Sequence, residues 1–253
     1  VKISIGNVSF DYAGKKIFED FSLDLDSADF LPSVILGPSG CGKTTLLKLL
    51  AGILKPAKGS IQKDDLDTGG DFQDGFRANV SMIFQEPRFL PWYTILENIM
   101  LPIIKIYGIK KSEETALKYL ELVSLSGEAS SLPGKLSGGQ RQRASIARAF
   151  AYPSGLLLMD EPFQSMDIPL RIELMELCLA LLEKEKRLTV AVTHDPREAV
   201  FMGSRIIILG HKPCAVVFDQ RINLNRQDRS YGAAAAGELE KELIGYLGLG
   251  VLK

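Results

Sequence analysis

The densest chemistry in the chain lies in Gly37-Pro38-Ser39-Gly40-Cys41-Gly42-Lys43-Thr44, with Thr45 directly after it. The pattern G-x-x-x-x-G-K-T sits between the apolar run Val34-Ile35-Leu36 and a leucine-rich run from Leu46 to Leu50. A strand, a loop and a helix in that order are the setting a phosphate-binding loop requires. Gly37, Gly40 and Gly42 let the backbone bend until successive N–H groups converge on one anion. The following helix adds its unpaired N–H groups and the positive end of its dipole. Lys43 is long enough to reach the β- and γ-phosphates of a nucleotide, and the Thr44 hydroxyl suits Mg²⁺. The spacing predicts a nucleoside triphosphate site.

Five further stretches offer groups to such a site. Gly155-Leu156-Leu157-Leu158-Met159 reads as a buried parallel strand ending in Asp160-Glu161, where open α/β sheets place their ligands. There Asp160 can hold Mg²⁺ and Glu161 can face an attacking water. The run Leu188 to Val192 ends at Thr193-His194-Asp195, so His194 shares that edge as either a structural or a catalytic side chain. Val80 to Phe84 reads as another buried strand, ending at Gln85. Leu136-Ser137-Gly138-Gly139-Gln140 heads an alanine-rich helix with Ser137 as a good N-cap. Its two glycines make it either a flexible joint or a second phosphate contact. Tyr12, before the turn predicted at Ala13-Gly14-Lys15-Lys16, is either packing or a stacking surface for a base.

These groups need a sheet whose strands end together. Alternation through Val1, Ile3, Ile5, Val8 and Phe10, then Phe21, Leu23 and Leu25, predicts antiparallel strands at the N-terminus. Lys55-Pro56-Ala57-Lys58-Gly59 is expected to end the helix after the loop, with a short strand at Ser60-Ile61-Gln62 and a surface loop over 64–79. From Thr94 to about Leu125 the pattern becomes helical, and 86–135 reads as a helical insertion between proline-bearing joints at Pro87 and Pro133, with an aromatic cluster at Phe89, Trp92 and Tyr93. A helix over 168–184, strands at 206–209 and 215–218 and a terminal helix over 233–248 complete the expectation. This is an α/β chain with a single domain over 1–253: a core of 1–85 and 136–253, and a helical subdomain of 86–135.

Composition removes several alternatives. The 30 Lys and Arg balance 31 Asp and Glu, so no broad positive field argues for nucleic acid. No apolar run approaches the roughly 18–20 residues of a membrane span. Three widely spaced cysteines, with no C-x-x-C pair, suggest a reducing compartment, and the N-terminus has no signal-peptide core. Two histidines make a zinc cluster improbable.

With these motifs in place, nearly the whole chain resembles the ATP-binding subunit of an ABC (ATP-binding cassette) transporter. Residues 37–44 are similar to the family's Walker A, and Leu156 to Asp160 with Glu161 to Walker B and the catalytic glutamate. Leu136 to Gln140 reads as the L-S-G-G-Q signature, and Gln85, His194 and Tyr12 fall where the Q-loop glutamine, switch histidine and A-loop aromatic lie. The resemblance implies a P-loop NTPase (RecA-like) core with an N-terminal antiparallel β-subdomain and an inserted α-helical subdomain. It implies Lys43, Gln85, Glu161 and His194 in catalysis. Thr44, Gln85 and Asp160 would hold Mg²⁺. ATP would contact Tyr12, residues 37–45 and, from a second copy, Ser137, Gly138, Gly139 and Gln140. It further implies a homodimer at the cytoplasmic face of the membrane, on permease subunits served by a periplasmic or extracellular solute-binding protein. Phe84 to Trp92 is similar to the nitrate/sulfonate/taurine import branch. Pro162-Phe163-Gln164-Ser165-Met166-Asp167 stands where importers usually read P-F-[GS]-A-L-D, differing at Gln164 and Met166 while keeping Asp167. A non-transport ATPase of the same superfamily and a nucleotide-dependent regulator are the alternative readings.

Overall fold

The computed structural model describes residues 2–26, 31–64, 80–164, 166–211 and 213–249. Val1, Ser165 and the expected loop over 65–79 lie outside the described residues. Two sheets organise the chain. Strands β1 (Lys2–Tyr12), β2 (Lys15–Asp26) and β4 (Lys58–Asp64) pair antiparallel in the order β2-β1-β4. Strands β3 (Ser33–Leu36), β5 (Val80–Ile83), β6 (Leu156–Asp160), β7 (Leu188–Val192), β8 (Arg205–Leu209) and β9 (Val216–Arg221) form a sheet in the order β5-β6-β7-β3-β8-β9. All its pairs are parallel except β8 with β9.

The parallel strands are mostly apolar because both faces are covered. Leu156 and Leu158 of β6 join a core with Ile3, Ile5 and Leu25 of the antiparallel sheet and with Leu46 and Leu49 of helix α1 (Lys43–Leu50). Leu157 and Met159 face the other way, into the core beneath the remaining helices. Helix α1 stops at Leu50, well before the expected terminator at 55–59, because the chain turns at Gly52 with φ 68°.

Between β5 and the later strands lie α2 (Ile95–Met100), α3 (Ile104–Leu122) and α4 (Gly138–Ala151). The helical stretch expected from Thr94 to Leu125 is interrupted at Leu101-Pro102-Ile103 and kinked at Gly108. Arg187, buried behind α4, donates to the carbonyls of Ala149, Phe150 and Tyr152. A cation on these C-terminal carbonyls anchors the tail of α4. Helices α5 (Ile168–Glu185), α6 (Pro196–Met202) and α7 (Ala234–Leu249) complete the fold.

Candidate active site

The order β6-β7-β3 brings β3 beside strands that come more than a hundred residues later, so the C-terminal ends of all three form one rim. Backbone bonds lock that rim: Thr193 N–H donates to Ile35 O at 3.2 Å and Glu161 N–H to Val192 O at 3.0 Å. The loop of residues 37–42 leaves from β3, Asp160 and Glu161 from β6, and His194 from just beyond β7. Local sequence therefore supplies each group, and topology assembles them.

The glycine-rich loop is shaped by close approach. At Gly42, with φ 127°, a Cβ would come within 2.9 Å of the Ile17 side chain and 3.2 Å of Phe18. At Gly37 it would meet the Leu209 carbonyl at 2.8 Å and the Cys41 Sγ at 2.9 Å. Only glycine fits between these neighbours. Gly42 also N-caps α1, whose first-turn N–H groups have no intrahelical acceptor and point back at the loop.

Lys43 is 5% exposed and folds back over the loop, donating from Nζ to Gly37 O at 2.8 Å and Pro38 O at 3.1 Å. The same Nζ is 3.8 Å from Glu161 Oε1. Thr44 donates from Oγ1 to Asp160 Oδ1 at 3.0 Å. Burial pushes the Asp160 carboxyl above its ordinary range; the Thr44 bond opposes this and the Glu161 charge adds to it. Glu161 has φ 46°, in the left-handed region a side chain rarely adopts, a conformation that costs about 1–3 kcal/mol. That turn swings its carboxylate to His194, whose Nδ1 lies 2.9 Å from Glu161 Oε2. Lys43, Thr44, Asp160, Glu161 and His194 thus form one connected chain, joined by these contacts and by the peptide bonds Lys43–Thr44 and Asp160–Glu161.

The other residues predicted for the site sit around this chain. Gln85 follows β5, exposed, and its carboxamide donates to Gln164 rather than to Thr44 or Asp160. Tyr12 ends β1, exposed, edge-on to Phe10 at 5.0 Å, on the hairpin whose Ile17 and Phe18 close on Gly42. Ser137 and Gln140 cap α4 reciprocally: Gln140 N–H donates to Ser137 Oγ at 3.2 Å, and Ser137 N–H to Gln140 Oε1 at 2.9 Å. Among the described residues, no hydrogen bond or ion pair joins 137–140 to 37–45 within one copy.

Apart from Asp167, several supporting residues carry no sequence signal. Asp167 caps α5 through Leu170 N–H at 2.9 Å, and Arg171 one turn on donates to Asp195 Oδ2 at 2.9 Å and to Met166 O at 3.2 Å. Arg171 also lies 3.4 Å from Glu198, which accepts from Thr193 Oγ1 at 2.5 Å. This network fixes the loop that carries His194. Arg171 and Asp195, which join its two halves, lie 24 residues apart and become neighbours only in the fold.

A cleft of about 410 Å³ opens beside Gln85, lined by Val80, Met82, Phe84, Leu101, Arg148 and Tyr152 among others. Asn98 is buried there and shapes its rim. Its Oδ1 accepts from Leu90 N–H at 2.8 Å, and its Nδ2 donates to Leu90, Tyr93 and Thr94 carbonyls at 3.1, 3.1 and 2.9 Å. The turn so held presents Trp92, 69% exposed. No helix among the described residues is long and apolar enough to cross a membrane.

Comparison with known proteins places this geometry. The protein-family description "ABC transporter" matches residues 18–164. The taurine import ATP-binding protein TauB of Escherichia coli O157:H7 is 39% identical over 225 residues, covering 88% of this chain and 84% of that protein. TauB of Shigella flexneri is 38% identical over 227 residues, covering 89% and 86%. The dimeric structure of MJ0796, a bacterial ABC transporter cassette, superposes with a TM-score of 0.74 at 30% identity, over 88% of this chain and 100% of that one. A post-hydrolysis dimer of the same cassette bound to ADP and Pi gives 0.74 at 29% identity with the same coverage.

Proposed function

The chain belongs to the ABC transporter family as an ATP-hydrolysing cassette, and from that premise we propose that two copies close around two ATP molecules to drive import of a small solute through a separate permease. The observation that carries this reading is the connected chain at the rim: Thr44 to Asp160 at 3.0 Å, Lys43 to Glu161 at 3.8 Å, and Glu161 to His194 at 2.9 Å.

Each group has a task set by its position. Lys43 turns from the loop carbonyls to the β- and γ-phosphates and, with the loop amides, stabilises charge on the transferred phosphoryl group. Glu161 accepts a hydrogen bond from the attacking water and aligns it in line with the leaving oxygen. His194 steadies Glu161 and lies against the γ-phosphate. Thr44 Oγ1 and Asp160 Oδ1 are a close pair of oxygens of the kind that suits Mg²⁺, with Gln85 as a further ligand. A Mg²⁺ held there would supply positive charge to offset that of the phosphates. Tyr12 stacks on the base. Ser137 to Gln140 contributes N–H donors from the second copy, so ATP joins the halves and hydrolysis releases them.

Residues 86–135 act as a helical subdomain whose cleft and Trp92 turn receive a cytoplasmic helix of the permease. The taurine import relatives favour a small solute of the nitrate, sulfonate or taurine type, delivered by a solute-binding protein. The subunit then works peripherally, on the cytoplasmic face. Glu161→Gln tests the mechanism: ATP binding is retained, turnover falls about a hundredfold or more, and a dimer is trapped. Hydrolysis at the unaltered rate would remove Glu161 from its role.

A further inference from the structure

Gln142 lies on the fifth residue of α4, with 0% of its surface exposed. Its Nε2 donates to Pro162 O at 2.7 Å and reaches Phe84 O at 3.4 Å. Phe84 directly precedes Gln85, and Pro162 directly follows Glu161. Two carbonyl acceptors fix the donor end of the carboxamide towards them. The opposite end, Oε1, is buried without a hydrogen-bond partner. The amide thus bonds two carbonyls of the flanking loops while leaving its own oxygen buried and unpartnered, so what it serves here is the tie to those loops rather than the filling of space.

Helix α4 is the element that carries the 137–140 stretch at its head, and Arg187 holds its tail. Arg148, two turns beyond Gln142, donates to Arg88 O and lies 4.6 Å over the Phe89 ring beside the cleft. One rigid helix therefore touches the cleft wall, the backbone of both catalytic loops and the surface offered to a second copy. Gln142 is its only described side chain that bonds directly to the backbone next to both Gln85 and Glu161.

We infer that Gln142 is a positioning residue, tying α4 to the loops of Gln85 and Glu161 so that a shift of the helix moves both together. This rests on the hydrolytic reading of Gln85 and Glu161 above. Loss of the tie leaves ATP binding intact and uncouples the two loops from the helix.

The test is ATP hydrolysis by purified Gln142→Met and Gln142→Glu proteins, normalised to the measured stoichiometry of bound ATP, with unaltered protein and Glu161→Gln as references. Gln142→Met should lower kcat about tenfold with KM for ATP within about twofold, as loss of a group acting in the transition state does. Gln142→Glu should recover towards the unaltered protein as pH falls from 8 to 6, because a buried carboxyl regains a proton it can donate to Pro162 O. In a Gln85→Ala background the loss from Gln142→Met should not multiply with that of Gln85→Ala. An unchanged kcat with only a lowered Tm, a pH-independent Gln142→Glu protein, or losses that multiply fully would each overturn the proposal. A Glu161→Gln protein that still turns over would instead reject the underlying reading.

Discussion

Cys41 shows how tightly the phosphate loop is packed. Its thiol is 2% exposed, faces Gly37, and is held down to about 7 by its hydrogen bond with Cys214, against burial and with help from the Lys43 charge. The folded thiol therefore ionises before the unfolded one. Its contribution to stability is absent below about pH 7 and grows until the unfolded thiol ionises near 9. A small neutral thiol reagent such as methyl methanethiosulfonate should react with Cys41 at a rate that climbs through pH 7. The modified protein should lose ATP binding, since the adduct occupies the space beside Gly37. Cys214→Ala should move the rate midpoint up towards 9.0, followed by mass spectrometry of Cys41. A midpoint that ignores Cys214 would show that the contact does not set the ionisation. Cys178, pushed far up by burial, should stay unmodified and serves as the internal control.

At the scale of elements, the turn of residues 90–94 separates structure from docking. Asn98 bonds four backbone groups of that turn, so Asn98→Ala removes all four bonds, orphans the Leu90 N–H and should destabilise the protein by about 2–3 kcal/mol. Trp92→Ala removes an exposed ring and should change stability by about 0.5 kcal/mol or less. Both should weaken capture by permease-containing membranes, and thermal unfolding distinguishes them. A Trp92→Ala protein that binds such membranes normally would place the docking surface elsewhere. The elements themselves were largely legible. β6 and β7 are largely apolar runs, the β1–β2 hairpin alternates over most of its length around Ala13-Gly14, and Ser137 marks the start of α4. What composition and period cannot carry is the strand order, which makes Ile35, Glu161 and His194 neighbours through bonds between distant strands. Gln142 was silent for the same reason: its two acceptors lie 58 and 20 residues away. The break at Pro102 was visible as a residue, but the helical period on both sides of it masked the interruption.

At the scale of the whole molecule, Gly138 poses a question that one copy does not answer. A Cβ there would meet nothing within 4 Å, its φ is not positive, and an acidic residue at a helix start is favourable. A glycine without an intramolecular reason points to a neighbour that approaches it, which in the proposed dimer is the partner's γ-phosphate. Gly138→Asp should therefore fold normally and repel that phosphate. Lys43→Ala disables the loop of its own copy. If each site combines one copy's loop with the other's α4, mixing the two single variants creates dimers with one wholly intact site. Such a mixture should regain ATPase activity that neither variant shows alone, up to about a quarter of the unaltered rate if pairing is random and sites act independently. A protein carrying both changes leaves no intact site when paired with an unaltered copy, so excess double variant should suppress the unaltered enzyme. Steady-state hydrolysis of the mixtures, with subunit exchange confirmed by mass, reads both outcomes. Recovery by the double variant's partner and none from the mixed singles would mean that each nucleotide is held within one copy.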